Sequence, residues 1–259
     1  MQPLAAVVPA ADLRFAVVLV VLVAIAATTS SVGRLDVARE QVTAALRAVL
    51  QLLVVATLIG AVVRSVALSL LFVALMYVVA ASTSLRRIRA PAGDLAWVGL
   101  ALAAGVVPVV GLCLVSGLVP LNGIGVIPIA GIIIGGAMTA ATLSGRRAFA
   151  ELAAHMGLYE AGLALGLRSA DAAGLVIQPT AREALTPGLD QTRTVGLVTL
   201  PGAFVGVLLG GGSPTDAAAA QLLVLIGLLA AQAITTATLI KLIATGRVVR
   251  GDLRERYPR

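Results

Sequence analysis

The sequence has very few of the residues from which most enzyme sites are built. It contains 1 Cys and 1 His in 259 residues, and Lys241 is its one lysine. A lone Cys113 forms neither an internal disulfide nor a thiolate metal cage. A phosphate-binding P-loop needs Gly-Lys-Ser/Thr, whereas Lys241 follows Ile240, so the sequence excludes a self-contained ATPase. It also lacks the HExxH motif of metalloproteases and the GxSxG motif of serine hydrolases.

Charge is equally scarce, and apolar residues dominate. Charged residues make up 12% of the sequence, aromatic residues 3% and hydrophobic residues 59%, and the mean hydropathy is +1.05. One soluble core cannot bury that much apolar surface, so the sequence predicts an integral membrane protein. Its apolar runs do not alternate with polar residues as barrel strands do, which predicts an all-α fold. About seven runs approach the roughly 20 residues needed to cross a bilayer: 15–32, 42–63, 65–84, 95–116, 124–144, 195–211 and 217–244.

The positions of the basic residues predict an orientation. If the amino terminus lies outside, all 19 basic residues except Arg14 and Arg64 fall on the cytoplasmic side, as the positive-inside rule expects. The carboxyl terminus is then cytoplasmic, with a cytoplasmic loop at 145–194 and a basic tail at 245–259. The net charge of +7 thus reflects topology, and we expect the lipid bilayer and no nucleic acid as a partner. The predicted location is the bacterial inner (plasma) membrane, with residues 1–259 forming one multi-pass transmembrane domain.

The loop 145–194 is the one sizeable polar region, and its composition predicts short helices separated by breaks. Gly166 interrupts a good helix-forming segment, and Ser169 is placed to cap a second short helix. Pro179 stops that helix. Thr180 and Glu183 have the spacing of a capping box, which predicts a further helix. We expect the helix–turn–helix unit to lie parallel to the membrane surface.

Part of this loop resembles the EAA loop through which ABC-transporter permeases engage their ATPase. The resemblance predicts an ATPase-coupling segment, and a plain amphipathic interface helix is the alternative. The residues assigned to coupling are Glu160, Ala161, Gly162, Gly166, Arg168, Val176, Gln178 and Pro179.

Several further motifs occur in one order along the chain. They are IPIAG at 127–131, IGGAM at 134–138, GLVTLPG at 196–202 and LGGGSP at 209–214, together with Arg47 and QLL at 51–53 in the second apolar run. These residues resemble the iron-export ABC permease family, whose relatives include plant aluminium-tolerance half transporters. The resemblance implies a permease subunit that forms a homodimer and exports a metal ion such as iron. It also implies that this chain binds no cofactor, because ATP and Mg belong to a separate cytosolic ATPase subunit.

The chain departs from the family pattern where a metal would be bound. Gly136 stands where we expect asparagine, and apolar residues follow Gly202 where methionine and polar residues are expected. The sequence therefore leaves the metal site unknown, and iron rests on the family resemblance. Arg47 and Gln51 lie one helical turn apart, so they face an anion or docking loop, or they snorkel to the interface. The candidate residues of a translocation path are Arg47, Gln51, Met138, Thr139 and Gln221.

Glycines spaced four residues apart predict flat helix faces for close packing, with a pore lining as the alternative. They are Gly131 and Gly135 in the fifth run, and Gly202, Gly206 and Gly210 in the sixth. After them, Ser213, Pro214 and Asp216 predict an N-cap, a first-turn proline and an acid near the positive end of the helix dipole.

An ion-coupled secondary transporter or a channel is the alternative class. Such proteins normally place an acidic relay or a broken-helix ion site near the bilayer midplane. No Asp or Glu is central in any predicted span, which favours an external energy source.

Overall fold

The computed structural model describes residues 12–254, which divide between Val62 and Val63 into two compact units. The first unit contains α1 (Leu13–Val32) and α2 (Ala38–Val62), which pack against each other. Asp12 caps α1 by accepting a hydrogen bond from the Phe15 N–H at 2.9 Å. Ser30, the one buried residue of these two helices, donates to Gln41 Oε1 at 2.9 Å.

The second unit consists of helices joined by short connections in its described part. Its helices are α3 (Val66–Arg87), α4 (Leu95–Val115), α5 (Gly123–Ala154), α6 (Met156–Ala164), α7 (Ser169–Ile177), α8 (Ala181–Thr194), α9 (Gly202–Leu209) and α10 (Pro214–Ala244). Short 3-10 turns occupy Ala92–Asp94, Gln178–Thr180 and Gly251–Leu253. Since residues 12–254 contain helices and no strand, the all-helical prediction is confirmed. Six helices, α1 to α5 and α10, are long and apolar enough to cross a membrane.

Two long helices, α5 and α10, run parallel at the centre of the second unit. A Cβ built at Gly227 would lie 3.4 Å from Ile133, and one at Gly145 would lie 3.5 Å from Leu239. The contacts thus advance along both helices in the same direction. Because neighbouring parallel helices need a connection that returns the chain to its starting end, residues 155–213 must traverse the length of this unit.

The chain returns through α8, a non-helical segment and the short α9, and not through the single membrane-spanning helix predicted over 195–211. Helix α8 ends at Thr194, residues 195–201 are not helical, and α9 is an 8-residue helix. At about 12 Å, α9 is too short to cross a bilayer alone. The chain leaves α8 through Gly196, whose φ of +80° suits glycine, and Pro201 precedes the first residue of α9.

Helix ends follow their local sequence in several places. The predicted cap of α10 is confirmed, because Ser213 and Asp216 form a reciprocal capping box and Pro214 occupies the first turn. Asn122 caps α5 by accepting a hydrogen bond from the Gly125 N–H at 2.8 Å. By contrast, α5 continues to Ala154, about ten residues beyond the predicted end at 144. The helix continues because residues of this polar extension are still buried against the rest of the second unit.

The described part of the predicted basic tail, 245–254, folds back onto the second unit. Val248, Val249 and Leu253 are buried, and the Arg247 guanidinium lies 4.7 Å from the centre of the Trp97 ring. Asp94 is buried beneath this segment. The rest of that tail, 255–259, and the amino-terminal residues 1–11 lie outside the described residues.

Candidate functional site

The segment predicted to couple to an ATPase forms a tight helical elbow, which we define as α6, the turn 165–168 and α7. Gly166 occupies the turn with a φ of +84°. Around it, the Gly166 N–H donates to the Leu163 carbonyl at 2.9 Å and the Leu167 N–H donates to the Gly162 carbonyl at 3.0 Å. This is the Schellman pattern, in which a glycine in the left-handed conformation ends a helix. The predicted interruption at Gly166 therefore has a defined backbone cause.

The two arms of the helical elbow pack closely. A Cβ added at Gly162 would lie 3.0 Å from the Ala172 Cβ, so glycine permits this approach. The Tyr159 and Ser169 hydroxyls lie 2.9 Å apart in a hydrogen bond across the elbow. Ser169 was expected to cap α7, but it is the first residue of that helix, and Arg168 occupies the N-cap position, where its side chain caps no backbone N–H. The serine thus joins the two arms.

The predicted coupling residues divide into an exposed set and a buried pair. Gly162 and Val176 are buried and support the packing of the helical elbow. The exposed residues are Glu160, Ala161, Gly166, Arg168, Gln178 and Pro179.

The start of α8 differs from the predicted capping box. Thr180 precedes the helix, but its hydroxyl donates back to the Ile177 carbonyl at 2.7 Å. Glu183 instead pairs with Arg147 of α5, at 3.1 Å from Nε. The two side chains therefore do not form the expected reciprocal capping bonds with each other's backbone. Thr180 bonds to the preceding turn, and Glu183 pairs with Arg147.

A cleft of about 1120 Å³ opens between α7, α8 and α10. Arg168, Arg182 and Lys241 line it together with apolar residues. The Arg168 Nε donates to Asp171 Oδ2 at 2.8 Å, and this side-chain hydrogen bond lowers the pKa of Asp171 and raises that of Arg168. Three basic side chains and the acid Asp171 thus lie in an otherwise mainly apolar lining.

A second cavity, of about 730 Å³, lies between α5, α8, α9 and α10. Gln221, a predicted path residue, is buried and accepts a hydrogen bond from the Phe204 N–H at 3.3 Å. Gln191 and Pro201 share this cavity with it. The cavity is mainly apolar, with the two glutamines providing polar groups.

The other predicted path residues do not share that cavity. Thr139 is exposed and bonds its own helix, donating to the Gly135 carbonyl at 3.0 Å. Met138 is half-buried. Arg47 and Gln51 are exposed on α2 of the first unit. Among residues 12–254, no group of three or more His, Cys, Asp or Glu side chains is placed to hold a metal ion.

The glycines that pack most closely differ from those singled out by spacing. A Cβ at Gly131 would lie 2.8 Å from Met76, whereas Gly135, Gly202 and Gly206 face open space and Gly210 approaches only its own helix. The closest helix contacts missed from the sequence are at Gly105, Gly136 and Gly188. Of these three glycines, only Gly136 stood out in the sequence, because it departs from the family pattern. A Cβ there would overlap Leu228.

Comparison with known proteins supports the resemblance carried by the motifs. A family model described as "Uncharacterised protein family (UPF0014)" matches residues 13–246. The chain belongs to the UPF0014 family. Three UPF0014 relatives illustrate the range of similarity.

YjkA of Bacillus subtilis is 29% identical over 217 residues, which cover 83% of this chain and 87% of YjkA. The probable iron export permease protein FetB of Escherichia coli is 35% identical over 111 residues, or 43% of each chain. The protein ALUMINUM SENSITIVE 3 of Arabidopsis thaliana is 34% identical over 113 residues, or 44% of this chain and 41% of the plant protein. The matches to FetB and the plant protein thus span about two fifths of their lengths. No solved structure matches the chain.

Membership in UPF0014 and the six apolar helices establish a multi-pass membrane protein. The predicted family resemblance is therefore confirmed.

Proposed function

We propose that this chain is the membrane-spanning subunit of an ABC transporter, driven by a separate cytosolic ATPase and exporting a metal ion such as iron. The observation that carries the proposal is the exposed helical elbow at the predicted coupling motif. Its exposed residues, including Glu160 and Arg168, provide a surface that no other described part of the chain covers. The proposed solute comes from the name of the UPF0014 relative FetB.

The helical elbow is connected to the long helices through α7. Ala172, Ala173 and Ile177 are buried, and α7 contacts both α5 and α10. Packed helices transmit displacement as discrete shifts because a dense core does not deform continuously. A partner that moves the helical elbow would therefore shift α5 and α10, the two parallel helices at the centre of the unit.

The test is to co-express the chain with candidate cytosolic ATPases, purify the pair in detergent and measure ATP hydrolysis. We expect one ATPase to co-purify and to hydrolyse ATP faster with the chain than alone. In Glu160→Lys, reversing a charge on the docking surface should lower the stimulated rate about tenfold, which corresponds to roughly 1.4 kcal/mol of lost interaction.

Glu40→Lys is the matched control, because Glu40 is also an exposed acid but lies on α2, outside the helical elbow. This variant should stimulate hydrolysis normally, and both variants should insert into membranes at wild-type levels. Failure of every candidate ATPase to bind intact chain, or equal hydrolysis with the two variants, contradicts the proposal.

A further inference from the structure

The second unit has an apolar layer of the right thickness for a bilayer. At one end a Cβ on Gly123 would overlap Val63, and at the other a Cβ on Gly145 would lie 2.8 Å from Ile88, just beyond α3. These two levels of α5 are about 22 residues apart, or roughly 33 Å along a helix. That distance matches the hydrocarbon thickness of roughly 30 Å. The layer therefore runs from the level of Gly123 to that of Gly145.

Helix α8 enters this layer from the Gly145 end. Glu183 pairs with Arg147, close to the boundary. A Cβ at Gly188 would overlap the Oε1 of Gln232, which precedes Leu239 by seven residues and so lies roughly 10 Å inside. Consequently the second half of α8, assigned from sequence to a cytoplasmic loop, occupies the depth of the membrane-spanning helices.

One face of α8 is unsuited to lipid at that depth. Ala184 and Gly188 are buried against the bundle, whereas the Asp190 and Arg193 side chains are 58% and 68% exposed, with their carboxylate and guanidinium 3.6 Å apart. Charged side chains within a bilayer face protein or water-filled cavities. The non-helical residues 195–201 follow directly, and such backbone is tolerated at this depth only under the same conditions.

The buried face of α8 contacts α10 at Gly188, and one polar atom at this contact has no hydrogen bond from the described residues. Gln232 is 5% exposed, and its Oε1, which faces Gly188, accepts no hydrogen bond from the described residues. A buried amide oxygen normally accepts a hydrogen bond. This oxygen is enclosed by the contact between α8 and α10, and Gln232 lines neither cavity.

Both cavities of this unit border α8. The cleft of about 1120 Å³ is lined by Arg182 and Leu185 of α8, and the cavity of about 730 Å³ is lined by Gln191 of the same helix. Leu185 and Gln191 lie on different sides of α8, so the two cavities border this helix at separate levels, and neither is lined by Asp190 or Arg193.

We infer that the exposed side chains of α8 within residues 186–193, together with the break at 195–201, form one wall of a water-filled path for a hydrophilic solute. This inference rests on the proposed function, because it assigns the path of that transporter. Discontinuous helices commonly supply the solute-contacting groups of transporters near the bilayer midplane. Here the groups are the side chains of Thr186, Asp190 and Gln191, with Arg193 paired to the acid.

The test is thiol accessibility in native membranes. In a Cys113→Ala background, single cysteines are introduced at Thr186 and Gln191, which are exposed and uncharged, and labelled with a membrane-impermeant methanethiosulfonate. Two cysteines on α10 are the matched controls, because neither Ile226 nor Ile234 lines either cavity. Ile226, which is 58% exposed, lies nearest the depth of position 191, and Ile234, which is 38% exposed, lies near that of position 186. Only a hydrated thiol ionises and reacts, so position 191 should label at least about tenfold faster than position 226, and position 186 at least about tenfold faster than position 234.

Two outcomes separate this inference from the proposed function. If positions 186 and 191 label no faster than their controls at 234 and 226 while the chain still stimulates its ATPase, the path along α8 is wrong and the proposed function stands. If both α8 positions label rapidly but no ATPase binds, the water-filled wall stands and the proposed function is wrong. Labelling in denaturing detergent confirms that each cysteine is present and reactive.

Discussion

Replacing Gly105 with valine is expected to separate α4 from α10 and to leave little well-folded protein. A Cβ at this position would overlap the carbonyl oxygen of Ala231 and the hydroxyl of Thr235. The first of these is backbone, which moves only if a whole helix moves. Overpacking of this kind costs about 3 kcal/mol or more, which corresponds to a melting temperature lower by about 6–12 °C.

The measurement is the melting temperature in detergent together with the yield of monodisperse protein on size-exclusion chromatography. Gly111→Val is the matched control, since Gly111 lies on the same helix but a Cβ added there would meet no atom of the other described helices within 4 Å. Both variants replace a glycine of α4 with the same β-branched side chain. Equal melting temperatures for the two variants would contradict the close contact between α4 and α10.

Replacing Asp94 with alanine is expected to release the carboxyl-terminal segment from the second unit. The Asp94 side chain is 1% exposed, and its two oxygens accept hydrogen bonds from the Val249 N–H at 3.1 Å and from Arg254 Nη2 at 3.1 Å. Alanine leaves the buried N–H without this acceptor and removes the partner of the guanidinium. The expected loss is about 2–4 kcal/mol of unfolding free energy.

Limited proteolysis and the melting temperature in detergent test this prediction. Asp94→Ala should melt several degrees lower and lose its carboxyl-terminal residues to protease sooner than the wild type. Asp252→Ala is the control, because Asp252 is 60% exposed and pairs with neighbouring Arg250. Its loss should change stability by less than about 1 kcal/mol. Indistinguishable behaviour of the two alanine variants would show that Asp94 does not hold the segment.

Features governed by neighbouring residues were predictable from the sequence. The long apolar helices follow from run length, the turn of the helical elbow from Gly166, and the start of α10 from Ser213, Pro214 and Asp216. Each depends on local backbone conformation or on the thickness of a bilayer. The sequence therefore predicts these elements without knowledge of how the helices pack.

Features governed by distant contacts were not predictable. Asp94 meets Val249 across a separation of 155 residues, and the tail containing Val248 and Val249 has too few apolar residues in a row to suggest burial. Likewise, α8 carries charges on one face, so hydropathy assigns it to a loop although Gly188 packs against Gln232. Only the parallel arrangement of α5 and α10 shows that the chain must return beside them.

The position of α8 also bears on the alternative class of transporter. The sequence favours an external energy source because no acidic residue is central in a predicted span, yet the inferred depth of α8 places Asp190 within the apolar layer. An ion-coupled transporter could use such an acid. The hydrolysis measurements distinguish the two classes, because an ion-coupled transporter has no need of the helical elbow or of an ATPase.

Coupling to a cytosolic ATPase is tested most directly by measuring on which side of the membrane the helical elbow lies. In a Cys113→Ala background, Glu160→Cys reports on the elbow and Leu118→Cys reports on the opposite end, where Leu118 is 68% exposed between α4 and α5. With an impermeant maleimide, position 160 should label in inverted membrane vesicles and position 118 in intact cells. Labelling of position 160 in intact cells would contradict the account, because a cytosolic ATPase could not reach the elbow there.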